Sequence, residues 1–141
     1  MVRLASPAHA RDIAALLAEL GTPRTRAEIQ QAMAVPGAVW HVAEAGDGSL
    51  IGAQWIEPWP EARHVAEIAT FTADGPGRIA VGSALFEATE ETARHMGYRR
   101  LIARITAENS GALIYYQSRG FEALSGDTAA PAPSILVRDL R

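Results

Sequence analysis

A chain of 141 residues, 48% hydrophobic and 21% charged, has the makeup of one globular domain spanning residues 1–141. A domain of this size buries roughly two-thirds of its unfolded-state surface. The formal net charge of −3 gives no reason to expect a polyanionic partner, so nucleic-acid binding is not expected. Cysteine is absent and all 13 basic residues are arginine, which excludes disulfides, thiolate metal sites, cysteine nucleophiles, lysine Schiff bases and a lysine-bearing phosphate loop.

His9, His41, His64 and His95 have no HExxH spacing and no serine lies in a GxSxG elbow, so a metalloprotease or serine hydrolase is not expected, nor is a bound metal. Arg3, His9, Arg11 and Asp12 interrupt the N-terminal stretch, and no segment approaches the roughly 18 apolar residues of a membrane helix. The expectation is a cytoplasmic protein with no membrane contact.

In chain order, Val2 to Leu4 reads as a short strand. From Ala8 the apolar residues Ile13, Leu16, Leu17 and Leu20 recur at i, i+3, i+4 and i+7, which predicts a helix with one buried face, closed by Gly21 and Pro23. A second helix is predicted from about Thr25 until Pro36-Gly37 stops it. Trp40 to Glu44 and Leu50 to Ile56 flank Gly46-Asp47-Gly48-Ser49, the pattern of a hairpin. His64 to Thr72 is another strand. A helix then runs from the Gly75-Pro76-Gly77 turn to about Met96, ended by Gly97.

Leu101 to Ile105 reads as a strand covered on both faces, and Ser110 to Arg119 as a helix stopped by Gly120. Phe121 opens an edge segment, and a loop over Ser125 to Pro133 leads to a last strand, Ser134 to Leu140. The order βααβββαβαβ with a final edge strand implies a mixed α/β sheet flanked by about four helices, with a site where strand ends meet helix starts.

The turn into the long helix is the first chemical candidate. A helix start leaves its first N–H groups unpaired and carries partial positive charge, so it can hold a phosphate without a cationic side chain. Ala80 and Gly82 are small enough to admit an anion, and Arg78 can add a charge-assisted contact. The same residues also suit a plain strand-to-helix link, and the stretch alone leaves both readings open.

The segment beyond the next strand separates the two readings. AENSGALIYYQSRGFE, residues 107 to 122, resembles the GCN5-related N-acetyltransferase (GNAT) family, in which an Asn…Ala…(Phe/Tyr)-Tyr…Gly-Phe segment comes after that strand. Asn109, Ala112, Tyr115, Tyr116, Gly120 and Phe121 fall on that pattern. The family's pyrophosphate turn, Gln/Arg-x-x-Gly-x-Gly/Ala, aligns with Gly77 to Gly82, with Gly77 in place of the arginine or glutamine, Ala80 in place of a glycine, and Arg78 one position late.

The resemblance implies a GNAT-like acyl-CoA N-acyltransferase fold and an acetyl-CoA-dependent enzyme that acetylates a primary amine of a small molecule or peptide by direct attack. It places Arg78, Ile79, Ala80, Val81, Gly82 and Ser83 around the pyrophosphate, splays the strands over 65–72 and 101–106 apart, and lays the pantetheine arm in the gap along Phe71 and Thr72. Asn109, Ala112 and Tyr116 line the cofactor's other side. Tyr116 becomes the acid that protonates the leaving thiolate. The proton of the acceptor goes to Glu67, to His64 or to a water relay, with Glu67 preferred; a regular strand points residues three apart to opposite faces. A CoA-binding or small-molecule-binding module with little activity is the alternative. Trp55 and Trp59, beside Pro58 and Pro60, suit an acceptor-pocket wall or a homodimer contact, whereas Trp40 suits the core, which is the alternative for Trp55 as well. Glu87, Glu90, Glu91 and Arg94 read as the solvated face of the long helix.

Overall fold

A computed structural model of the chain describes residues 1–106, 109–123 and 134–140. The loop expected over Ser125 to Pro133 lies outside the described residues.

The first elements follow the apolar spacing. After β1 (Val2–Leu4) and a 3-10 turn at Pro7–His9, α1 (Ala10–Glu19) buries Ala10, Ile13, Leu16 and Leu17. Helix α2 (Arg26–Met33) starts on a reciprocal cap: the Thr25 hydroxyl accepts from the Glu28 amide at 3.1 Å, and the Glu28 carboxylate accepts from the Thr25 amide at 2.8 Å. Strands β2 (Val39–Glu44) and β3 (Leu50–Pro58) form the expected hairpin, and β4 (Val65–Thr72) pairs with β3. Helix α3 (Arg78–His95), β5 (Arg100–Ile105), α4 (Ser110–Ser118), β6 (Glu122–Ala123) and β7 (Ser134–Asp139) complete the chain.

The seven strands form one mixed sheet in the order β1-β2-β3-β4-β5-β7-β6, antiparallel except between β4 and β5. The last strand is not at the edge as expected. β7 pairs with β5 along all of its 6 residues, from Arg100↔Asp139 to Ile105↔Ser134, whereas β6 has only 2 residues to offer. The strand that can satisfy its backbone groups on both sides takes the inner place, and the short one becomes the edge.

Alternation along the strands divides the core in two. Trp40, Val42, Ala53 and Trp55 face α1 and α2, packing on Ile13, Leu16, Leu17 and Ile29. Ile56, Ala66, Ile68, Leu101, Ala103 and Ile105 share the opposite cluster with Phe86 of α3, Tyr116 of α4 and Phe121. His41 also points to the α3 side, where its ring nitrogens lie 3.5 and 3.3 Å from the hydroxyls of Thr89 and Thr92. Burial pushes the pKa of this imidazole below its usual value. Among the described residues no helix is long and apolar enough to cross a membrane.

Candidate active site

The sheet splits where the site was expected. β4 and β5 pair only at Val65↔Arg100, Ala66↔Leu101 and Glu67↔Ile102. Beyond that point β4 stays paired to β3 as far as Gly52↔Thr72, and β5 to β7 as far as Ile105↔Ser134. The edge of β4 from Ile68 to Thr72 therefore faces β5 without joining it. A gap of this kind, at the carboxyl ends of two parallel strands, is a place where an extended ligand can dock on backbone groups.

Helix α3 begins above the gap. Its N-cap is Gly77 at φ 84°, a left-handed conformation that an arginine or glutamine would adopt only under strain. The Arg78 amide reaches the Gly75 carbonyl at 3.3 Å and the Val81 amide reaches the Gly77 carbonyl at 2.9 Å. Ile79 and Ala80 are left with no backbone acceptor among the described residues, and both are exposed. Two free N–H groups at the positive end of an 18-residue helix are groups that can hold an anion on backbone atoms. The Arg78 guanidinium is turned to Asp74 at 3.2 Å.

Gly82 serves a different purpose from its neighbours. A Cβ there would stand 2.8 Å from the Tyr115 ring, and the Tyr115 hydroxyl donates to the Gly82 carbonyl at 2.7 Å. Arg119 lies 4.0 Å over the same ring and donates to the Ser83 hydroxyl at 2.6 Å. Tyr115 thus fastens α4 to the start of α3.

Tyr116 is 4% exposed, packed against Phe121 and Tyr115 at 5.1 Å each. Its hydroxyl lies 2.8 Å from the hydroxyl of Thr70, which belongs to the stretch of β4 that has parted from β5. Burial raises the pKa of this phenol far above its ordinary value, so it keeps its proton across the physiological range. The α4 N-cap is Asn109, whose side-chain oxygen accepts from the Ala112 amide at 3.0 Å. That bond fixes where α4 starts and hence where Tyr116, two turns on, points.

The other face of the gap carries the charged groups. Glu67 is the last β4 residue paired with β5, and Arg104 holds it by two bonds, Nε to Oε2 at 2.9 Å and Nη2 to Oε1 at 2.8 Å. The Arg104 guanidinium lies 5.3 Å over Trp59. Trp40, Trp55 and Phe71 stack in a row across β2, β3 and β4, with centroid separations of 4.1 and 5.3 Å, and Arg24 covers Trp55 at 5.5 Å. Trp55 is therefore mainly a core residue, while Trp59 is half-buried beside the ion pair. Thr72 ends the β4 ladder, opposite Gly52.

His64 lies away from these groups. It precedes β4 at φ 64°, at the end opposite the gap, with its ring Nδ1 3.2 Å from the Gly97 carbonyl. Of the residues expected on the solvated face of α3, Glu87, Glu91 and Arg94 are exposed, but Glu90 is half-buried between Arg94 and Arg138. Gln54, Thr70, Arg104 and Arg119 were not singled out from the sequence. Only Gln54 carried a signal, a polar residue inside the apolar run of a central strand.

A sheet opened between two parallel strands, with a helix start above the opening and a phenol inside it, defines a class of group-transfer protein. The acetyltransferase (GNAT) family profile matches residues 10–121, and the chain belongs to that family. Among curated proteins no sequence matches. The fold is shared with a GNAT-superfamily phosphinothricin acetyltransferase from Sinorhizobium meliloti solved in complex with AcCoA (TM-score 0.80, 20% identity, 99% of this chain and 88% of that one). It is shared also with a GNAT-family acetyltransferase from Streptococcus pneumoniae (TM-score 0.80, 19% identity, 100% and 99%). A third is yncA from Salmonella typhimurium with its cofactor acetyl-CoA (TM-score 0.79, 20% identity, 100% and 94%).

Proposed function

We propose that the protein transfers the acetyl group of acetyl-CoA to a primary amine of a small molecule or peptide, by direct attack within a ternary complex. The observation that supports this most is the separation of β4 from β5 directly below the α3 start, with the Tyr116 and Thr70 hydroxyls at the opening. In this reading the free Ile79 and Ala80 amides hold the pyrophosphate, with Val81 to Ser83 behind them and Arg78 turning from Asp74 to assist. The pantetheine arm lies along β4 at Phe71 and Thr72 as an extra strand, bordered by Asn109 and Ala112 of α4.

The acceptor approaches from the Glu67 side. An ammonium must shed one proton before its lone pair can attack the thioester carbon. Glu67 receives that proton directly or through water, on carboxylate lone pairs that Arg104 leaves unused. The new C–N bond forms as the carbonyl electron pair moves to oxygen, which a β4 backbone N–H stabilises. On collapse the C–S bond breaks, its electron pair stays on sulfur, and Tyr116 passes its proton to that sulfur. The second nitrogen proton leaves as the amide forms, and the phenolate regains one from solvent. The balance is ammonium plus acetyl-CoA to amide, CoA thiol and one proton.

Acetyl-CoA and CoA should raise the melting temperature while ATP and NAD should not, because only ligands that bind the folded state shift its stability. Absence of a shift at millimolar acetyl-CoA contradicts the reading. Binding without amine-dependent thiol release would instead support a CoA-binding module.

A further inference from the structure

Gln54 is fully buried in the middle of β3, on the α3 face of the sheet. Its Nε2 donates to the Thr70 hydroxyl at 2.8 Å and to the Tyr115 hydroxyl at 3.0 Å, while its Oε1 has no partner. A buried amide with an unpaired oxygen is less stable than a satisfied one, so an apolar residue would fill this position at lower cost.

The directions of the bonds give the amide a purpose. The Tyr115 hydroxyl has one hydrogen, and it goes to the Gly82 carbonyl, which can only accept. Tyr115 must therefore accept from Gln54, which fixes the amide with nitrogen toward the hydroxyls; the flipped orientation would set two acceptors face to face. The second Nε2 hydrogen then goes to the Thr70 oxygen. Thr70 thereby accepts from Gln54, which leaves its own hydrogen available to the Tyr116 oxygen, 2.8 Å away, a contact whose spacing alone allows either hydroxyl to donate. With Thr70 as the donor to Tyr116, the chain runs Gln54 to Thr70 to Tyr116, every step donating in one direction. Tyr116, already accepting from Thr70, keeps its hydrogen uncommitted.

We infer that Gln54, acting through Thr70, is the positioning residue that sets the donor direction of the Tyr116 hydroxyl and so keeps its proton available to the departing thiolate. The inference rests on the acid role of Tyr116 proposed above. No proton passes through Gln54; its amide only orients Thr70, and the transferred proton is that of Tyr116. The same amide holds Tyr115 against Gly82, so one side chain couples the acid to the start of α3.

The test is a double-mutant cycle on thiol release from acetyl-CoA. It uses the amine of a panel that supports the fastest release, with amine-independent hydrolysis of acetyl-CoA as the reference reaction. Thr70→Val should lower kcat at least about tenfold with little change in the acetyl-CoA KM, and Thr70→Ser should restore most of it. Gln54→Leu should behave as Thr70→Val does. If it does not fold, Thr70→Val alone carries the test. Combined with Tyr116→Phe, Thr70→Val should cost nothing further, because no proton is left to orient. Additive losses, equal losses in Thr70→Val and Thr70→Ser, or full activity of Thr70→Val would each overturn the inference while leaving an amine-dependent acetyltransferase intact. A Tyr116→Phe protein as fast as the parent, or a parent without thiol release in either reaction, would overturn the acid role and this inference together.

Discussion

The ring of Tyr115 occupies the space that a Cβ on residue 82 would need, and the Tyr115 hydroxyl is bonded to the Gly82 carbonyl at 2.7 Å. Gly82 is thus required by the packing of α4 on α3. Arg119 stacked on the outer side of the ring and Gln54 bonded to its hydroxyl prevent the ring from giving way.

Gly82→Ala should accordingly destabilise the protein by about 1–3 kcal/mol through overpacking. It should also raise the acetyl-CoA KM, because the start of α3 moves with the ring. Thermal melts and thiol-release kinetics check both effects. An unchanged melting temperature would mean that the ring yields freely.

Glu67 and Arg104 form a bidentate pair beside Trp59. Both side chains are partly open to solvent, so the pair adds little to stability, about 0–1 kcal/mol. Its expected contribution is to hold the carboxylate in place. Glu67→Gln should lower kcat on the order of tenfold to a hundredfold while leaving the acetyl-CoA KM nearly unchanged. Arg104→Met should shift the melting temperature by only a few degrees and reduce kcat/KM for the amine. Unaltered amine kinetics in both variants would remove this pair from the acceptor side.

Local signals in the sequence located the elements well. The spacing of Ile13, Leu16 and Leu17 marks α1, Thr25 opens α2, and Gly97 follows α3. Asn109 through Phe121 pointed to the family because a cap, a tyrosine and a helix-ending glycine at fixed distances are properties of one short segment. Long-range pairing was not legible. Nothing local in Ser134 to Asp139 tells that it lies inside β6, and the parting of β4 from β5 was implied by the family resemblance alone, without the residue, Glu67, at which it begins. The partners of Glu67 and Tyr116, Arg104 and Thr70, depend on register between strands, and the route through Gln54 depends on the direction of hydroxyl hydrogens, which no residue pattern encodes.

His41 offers a pH prediction that is independent of catalysis. Burial lowers its folded pKa below the unfolded value, so between the two the unfolded state binds more protons. Its contribution is fully present above the unfolded value, about pH 6.5, and is lost as pH falls through the lower folded value. The melting temperature should therefore decline from about pH 7 to pH 5, and His41→Asn should flatten that decline. An identical slope in both proteins would assign the acid sensitivity to other groups.

The central claim is that Tyr116 protonates the thiolate that leaves acetyl-CoA in an amine-dependent reaction. It is tested most directly by thiol release at saturating acetyl-CoA, with and without amine, in the parent and in Tyr116→Phe. The expected result is amine-dependent release by the parent and a loss in kcat of about a hundredfold in the variant, with acetyl-CoA still raising the melting temperature of both. Equal kcat in the two proteins would contradict the account.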